Sequence, residues 1–317
     1  MTEPPLVVAV FGATALGKSE VALELARRLD ADILVADSMQ IYAGLPILTN
    51  QPGADARTRA RYHLVGWASP QDECSVAEYA ELAHDVIDGL LGEGRRVIVE
   101  GGSGLYVRAV LGDLAFGGAP DPARRRDLEA RWARAPQDLV DELRRRAPDA
   151  AGRVDLANAR RVIRALESLD DAAVGREHRD GEPQTDELWR AGGRYAYRLV
   201  ALVPDDDRAA LKERIDRRVD EMLAAGALEE VAAARAAGPL SRTAAQAIGV
   251  RELCAVLDGE LALQEAAARM KARTRALARR QLTWLRKLPD AAQVPATGRS
   301  AAAVAADVLR LLETGTW

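Results

Sequence analysis

"VAVFGATALGKSEVALELA", residues 8–26, runs an apolar stretch into a glycine-bounded turn and then into a helical pattern. Gly12, Ala13, Thr14, Ala15, Leu16, Gly17, Lys18 and Ser19 satisfy G-x-x-x-x-G-K-[ST] in full, in the strand–turn–helix context that gives the pattern meaning. The glycines let successive backbone N–H groups curl around phosphate oxygens, and the helix N-terminus adds its dipole. Lys18 neutralises charge, and the Ser19 hydroxyl is suited to holding Mg²⁺. Whose phosphate is bound stays open at this point, because nucleotide kinases, nucleotide hydrolases and enzymes of other diphosphates all use such a loop.

Outward from this loop, strand-like runs at 6–11, 33–36, 97–99 and 198–203 have helical patterns between the first three. They predict an α/β fold, a P-loop-type parallel sheet flanked by helices. "GGAPDPARRR" is a turn-rich break, and the Arg/Ala/Leu/Asp-rich helical pattern after it predicts a helical insertion domain over 119–195, with 1–118 and 196–317 as the catalytic core. The pattern is helical again over 208–288, and 300–313 reads as a closing amphipathic helix.

A length of 317 residues with 48% hydrophobic content supports a sizeable core. No window holds the roughly 18 apolar residues that a membrane span needs, so the expected setting is the cytoplasm, with no membrane partner. Cys74 and Cys254, with only His63, His84 and His178 as imidazoles, offer neither a disulfide framework nor a structural zinc site. The net charge of −4 hides an uneven placement. "RMKARTRALARRQLTWLRK", 269–287, carries Arg269, Lys271, Arg273, Arg275, Arg279, Arg280, Arg286 and Lys287 without an acid among them. Such a helix repels itself unless a polyanion is present, which points to nucleic acid.

Other stretches fall at the sheet's carboxyl edge. "VADSMQIY" brings Asp37 there, either as a general base or as a helix cap. "RVIVEGGSGLY" ends its strand in Glu100 rather than in the Asp a nucleotide hydrolase uses for its metal, which weakens that reading. Its Gly101-Gly102-Ser103-Gly104 turn either presents Ser103 and backbone N–H groups to a ligand or is only a tight turn. In "NARRVIRALE", Arg160 and Arg164 share one helix face, to follow a phosphate backbone or to solvate the helix.

With these residues in place, nearly the whole chain resembles the bacterial tRNA dimethylallyltransferase family. The resemblance rests on ordered motifs: GATALGKS, DSMQIY, GGSGLY with VRAVLGDL, DPARRRDLE, NARRVIRALE, ERIDRRVDEML with AGALEEV, QAIGVRE and TRALARRQLTWLR. It implies transfer of a dimethylallyl group from dimethylallyl diphosphate to N6 of the adenosine 3′ to the anticodon. The loop from Gly12 to Ser19 would then grip the diphosphate, with Mg²⁺ on Ser19 and Arg217 assisting. Asp37 would take the N6 proton, and Ser103, where the family has Thr, would stand at the reaction centre.

For tRNA the resemblance implies contacts from Asp37, Ser38, Met39, Gln40, Ser103 and Arg125. It adds Arg160, Arg161, Val162, Ile163 and Arg164, then Gln246, Ala247, Ile248, Gly249, Val250 and Arg251, with the insertion gripping the anticodon stem. Arg273, Arg275, Arg279 and Arg280 of the basic run would hold backbone phosphates. The adenine would have to leave its stack, which is easier from a loop than from a duplex. The chain departs from the family at Ala13, at Tyr62-His63-Leu64-Val65-Gly66, at Val250 and Arg251, and at Leu277, where a tyrosine is usual. Three rival readings are a prenyltransferase of free adenine nucleotides, a P-loop small-molecule kinase and a tRNA-binding protein without catalysis. A monomer is the default expectation.

Overall fold

Every residue of β1 (Val7–Gly12) is buried, as a strand covered on both faces requires. The computed structural model describes residues 7–112, 114, 121–173, 193–205, 208–286, 288 and 291–314. His178 and Lys287 lie outside the described residues, as do parts of the expected insertion. β1 is flanked by β4 (Arg96–Gly101) and β5 (Tyr197–Val203) in a six-stranded sheet of order β3-β2-β4-β1-β5-β6, in which every pairing is parallel. β2 is Ala31–Val35, β3 Tyr62–His63 and β6 Ala292–Pro295. The outer strands β3 and β6 were not expected from sequence. Two and four residues are too few to show a period.

Parallel pairing needs crossovers, and helices supply them. On one face, Val8, Val10, Ile33, Val35, Ile98, Val200 and Leu202 pack with Val21 and Leu25 of α1 (Lys18–Leu29) and with Val304 and Val308 of the closing helix Ala301–Thr314. The other face carries α4 (Val76–Gly92) and α5 (Gly104–Leu111), which contribute buried Tyr79, Ile87, Val107 and Val110. Between β2 and α4 lie the short helices α2 (Pro46–Thr49) and α3 (Ala54–Arg59). The buried Asp32 in β2 is paired by His63 of β3 at 2.8 Å and by Arg95, so this histidine is spent on a structural contact.

Packing divides the chain into two units, residues 1–112 with 193–317, and residues 113–192. In the second, α6 (Pro122–Arg134), α7 (Pro136–Arg146) and α8 (Pro148–Arg153) each begin with proline, whose missing N–H costs nothing at a first helical position. With α9 (Ala159–Ala173) they enclose Leu128, Leu139, Leu143 and Leu166. Val162 and Ile163, expected on a tRNA face, are buried in this core at 0% and 3% exposure. Their helical phase matches Leu166 rather than the exposed Arg160 and Arg161. Arg125 is likewise engaged, holding the buried Glu167 at 2.9 and 3.2 Å.

Carboxylates also tie this unit together. Arg146 reaches Glu142 at 3.0 Å and Asp170 at 2.5 Å, while Arg131 and Arg124 complete their pairing. Burial pushes both acids up, but hydrogen bonds from Arg131 and Arg146 to Glu142, and from Arg146 and Arg124 to Asp170, bring both below their ordinary values. A lowered folded pKa stabilises above the unfolded value and is lost as pH falls through the folded one. Arg146→Ala will therefore lower stability most near pH 7, where both carboxylates are charged, and progressively less below pH 4, a difference that chemical denaturation followed by circular dichroism at the two pH values will show.

A candidate active site at the carboxyl edge of the sheet

Parallel register brings three loops to one place. Val10 and Val35 both stand beside Glu100, so β1, β2 and β4 end at the same level. From there lead the loop 12–17, the DSMQIY turn and the Gly101–Gly104 turn. Gly17 has φ +80°, a conformation that favours glycine, and Ala15 is held at φ +64° nearby. The loops open on a chamber of about 640 Å³, a common size for a ligand site. Thr14, Ala15, Gly17, Lys18, Ser19, Asp37, Ser38, Met39, Gln40, Glu100 and Ser103 all contribute to its wall, with Leu16 buried behind.

The acidic and basic groups at its base control one another. Lys18 donates to the Ala13 carbonyl at 3.0 Å, and burial draws its pKa down against the attraction of Glu100. Burial pushes Glu100 up to about 7, against Lys18 and a hydrogen bond with the Ser19 hydroxyl. Asp37 accepts from the Met39 N–H at 2.8 Å, shaping the turn, and no regular helix follows for it to cap. Ser103 precedes α5 without capping it through its side chain, so its hydroxyl is not consumed there. Gln40 is 9% exposed and its Oε1 has no partner.

α10 (Arg208–Ala224) forms another wall. Arg217 borders the chamber but is exposed and faces Glu221 at 3.7 Å. Arg218 is half-buried, and its electrostatic neighbours are Glu20, Asp37 and Glu100. Arg214 reaches the loop as well, its Nη2 lying 3.8 Å from where a Cβ on Gly17 would stand, so three arginines of this helix border the chamber. The sequence did hold a signal: Arg214, Arg218 and Met222 recur at four-residue spacing and all line the chamber.

α13 (Leu263–Leu285) carries the basic run, and the structure changes its meaning. Lys271 pairs with Asp220 at 2.7 Å, and Arg275 pairs with Asp216 at 2.6 and 2.8 Å, both acids on α10. Arg273 bonds Glu252 of α12 (Val250–Leu257) at 2.7 and 2.8 Å, and Glu252 in turn accepts from the Gly249 N–H at 3.1 Å. Glu265 in the first turn pairs with Arg269, and the other acids come from neighbouring helices, so no polyanion is needed to explain Arg273 or Arg275. That pair steadies the loop of Gln246, Ala247 and Ile248, which borders the chamber; Val250 is buried beyond it and Arg251 exposed. Arg279 and Arg280 are exposed on the same helix and have no ion pair among the described residues.

One side chain was missed altogether by sequence reasoning. Gln281, 6% exposed, accepts from the Thr14 N–H at 2.8 Å and donates to the Gly102 carbonyl at 2.9 Å. A Cβ on Gly102 would collide with that amide nitrogen, and one on Gly104 would meet the Trp284 ring at 2.7 Å. Glycines in this turn therefore let α13 lie against it.

Comparison with known proteins agrees with this architecture. The sequence model of the IPP transferase family matches residues 40–288. The tRNA dimethylallyltransferase of Streptomyces avermitilis is 41% identical over 287 residues, 90% of this chain and 88% of the relative. The full-length tRNA isopentenylpyrophosphate transferase of Bacillus halodurans superposes with a TM-score of 0.69 at 31% identity, over 97% of each chain. A eukaryotic dimethylallyltransferase acting on tRNA gives a TM-score of 0.76 over 96% of this chain and 77% of its own; at 22% identity it speaks for the fold alone.

Gln281→Leu keeps the bulk but strands a backbone donor and acceptor. It will lower stability by about 2 kcal/mol, read as a lower melting temperature.

Proposed function

The chain belongs to the IPP transferase family, and from that premise and the chamber's chemistry we propose that it transfers a dimethylallyl group from dimethylallyl diphosphate to N6 of the adenosine 3′ to the anticodon of tRNA. One observation carries the reading: the phosphate loop, Asp37, Gln40 and Ser103 share a single chamber. N6 attacks the first carbon of the isoprenoid as that carbon's bond to oxygen breaks, and the diphosphate leaves with the electron pair. The Asp37 carboxylate receives the N6 proton, and the Ser103 hydroxyl positions the reacting groups. Gln40 Oε1, buried and unpaired, supports recognition of a base that brings its own donors.

The leaving group gathers negative charge as the bond breaks, so groups gripping it act most strongly at that moment. The N–H groups of the loop Gly12–Ser19, Lys18 and Arg218 perform this role, with Arg217 at the rim. Mg²⁺ suits the site, since Ser19 and the unpaired buried oxygen of Glu100 are hard donors. When bound it supplies further neutralisation of the diphosphate. Contacts with tRNA fall to exposed cations, Arg160 and Arg161 of α9, Arg251, Arg279 and Arg280, and to the Gln246 loop. Arg125, Arg164 and Arg273 serve the ion pairs that shape those surfaces. Among the described residues no helix is long and apolar enough to cross a membrane. We place the enzyme in the cytoplasm with its tRNA, acting as a monomer.

The decisive assay mixes protein, Mg²⁺ and labelled dimethylallyl diphosphate with either an anticodon stem-loop or free AMP. Label in the stem-loop alone is expected. Label in AMP alone means a cytokinin-type enzyme, and label in neither, with ATP bound, means a kinase. In the same assay Asp37→Asn and Arg218→Ala will each slow turnover by about 100-fold or more, whereas Arg217→Ala will stay within a few-fold of wild type.

A further inference from the structure

One short segment of the chamber wall is held in place from outside itself. α2 (Pro46–Thr49) has only four residues, too few for a helix to persist alone, yet it carries Leu48 and Thr49 into the wall, with Asn50 next to them. Its first turn has no cap of its own, since Leu45 before it offers no acceptor in its side chain and Pro46 has no N–H. The N–H groups of Ile47 and Leu48 are left over, and both go to one carboxylate. Glu230 of α11 (Ala227–Ala236) accepts from them at 2.7 and 2.8 Å, one oxygen for each. This acid is half-buried, and burial raises its pKa against the pull of the two N–H groups.

The far end of the segment is a clamp on the DSMQIY turn. Asn50 turns the chain at φ +55°, and the Gln51 side-chain amide donates to the carbonyls of Gln40 at 3.0 Å and Tyr42 at 2.7 Å. Gln40 is thus gripped by its backbone, while its buried Oε1 stays unpartnered in the chamber wall. Between the two ends, Leu48 lies so close to Gly249 that a Cβ there would stand 2.4 Å from its Cδ1. The segment thereby backs the Gln246 loop as well. None of these contacts reaches the phosphate loop.

From this chain of contacts we propose that Glu230 is a positioning residue for the nucleobase: by capping α2 it fixes, through Gln51, the backbone that offers Gln40 to the adenine. The proposal rests on the reading that the chamber prenylates a base of tRNA. A carboxylate offers two acceptor oxygens side by side, one for each of two neighbouring N–H groups, and its charge suits the positive end of a helix. Neither Glu230 nor Gln51 lines the chamber, so both act through the segment between them. The rival account makes Glu230 a fastener of α11 to α2 that serves stability alone.

The two accounts separate in steady-state transfer of label from dimethylallyl diphosphate to an anticodon stem-loop, measured beside the affinity for inorganic diphosphate. Glu230→Gln keeps the size but turns an NH₂ toward an N–H. Expected is a fall in kcat/KM for the stem-loop on the order of ten-fold, with diphosphate affinity and the KM for dimethylallyl diphosphate within about two-fold of wild type. Gln51→Leu is expected to give the same split, and Glu230→Asp, which keeps both acceptors, to recover part of the loss. Combining Glu230→Gln with Gln51→Leu will cost little more than the larger single loss, because both act on one segment. Stem-loop kcat/KM within about two-fold of wild type in Glu230→Gln overturns the proposal, as does a parallel loss of diphosphate affinity, and so do losses that multiply in the double variant. Wild-type protein that binds diphosphate but transfers no label to the stem-loop overturns the functional reading, and this proposal with it.

Discussion

The amide of Gln281 is the contact on which the site's geometry depends. Its two ends join the phosphate loop to the Gly101–Gly104 turn. Each of those loops follows a different strand, and strand register alone fixes their height but not their spacing. A single planar group, accepting at one end and donating at the other, sets that spacing. Because Gln281 stands on a long helix, whatever holds that helix also holds the site. Three ion pairs from Lys271, Arg273 and Arg275 do so, fastening it to α10 and α12.

This arrangement gives the basic helix a different task from the one its composition suggests. A run of cations with no acid among them looks unbalanced only while it is viewed in isolation. Asp216, Asp220 and Glu252 supply the balance from elements whose sequence positions are 21 to 59 residues away. Half-buried pairs of this kind are screened less by salt than exposed ones, and each holds a wall of the chamber in place. The pairing also leaves Arg279 and Arg280 as the cations of this helix with charge to offer outward. Which cations of this element are neutralised is thus decided by which of them find an acid across the helix boundary.

Much of the site could be read in advance because its chemistry is local. The loop of Gly12–Ser19 is contiguous, its glycines and lysine are spaced by the geometry of a phosphate, and Asp37 and Ser103 fall just past apolar runs. Whatever ends a parallel strand arrives at the same edge as its neighbours, so these residues were bound to meet. Other assignments needed helical phase. Arg217 and Arg218 are adjacent in sequence and about 100° apart around a helix, and only the docked face of α10 decides which of them turns toward Asp37 and Glu100. Val162 and Ile163 were misjudged in the same way, since the motif around them is basic while the two residues themselves point into the core.

The sequence by itself determined the phosphate loop, the parallel α/β arrangement and the family, because contiguous motifs and unbroken apolar strands carry their meaning without knowledge of partners. Tertiary structure alone decided that Arg218 has Asp37 and Glu100 as electrostatic neighbours, that Gln281 spans two loops, that Lys271, Arg273 and Arg275 are neutralised from neighbouring helices, and that one oxygen of Glu100 has no partner. Each of these depends on distances between residues far apart along the chain, and those distances exist only once the helices have packed.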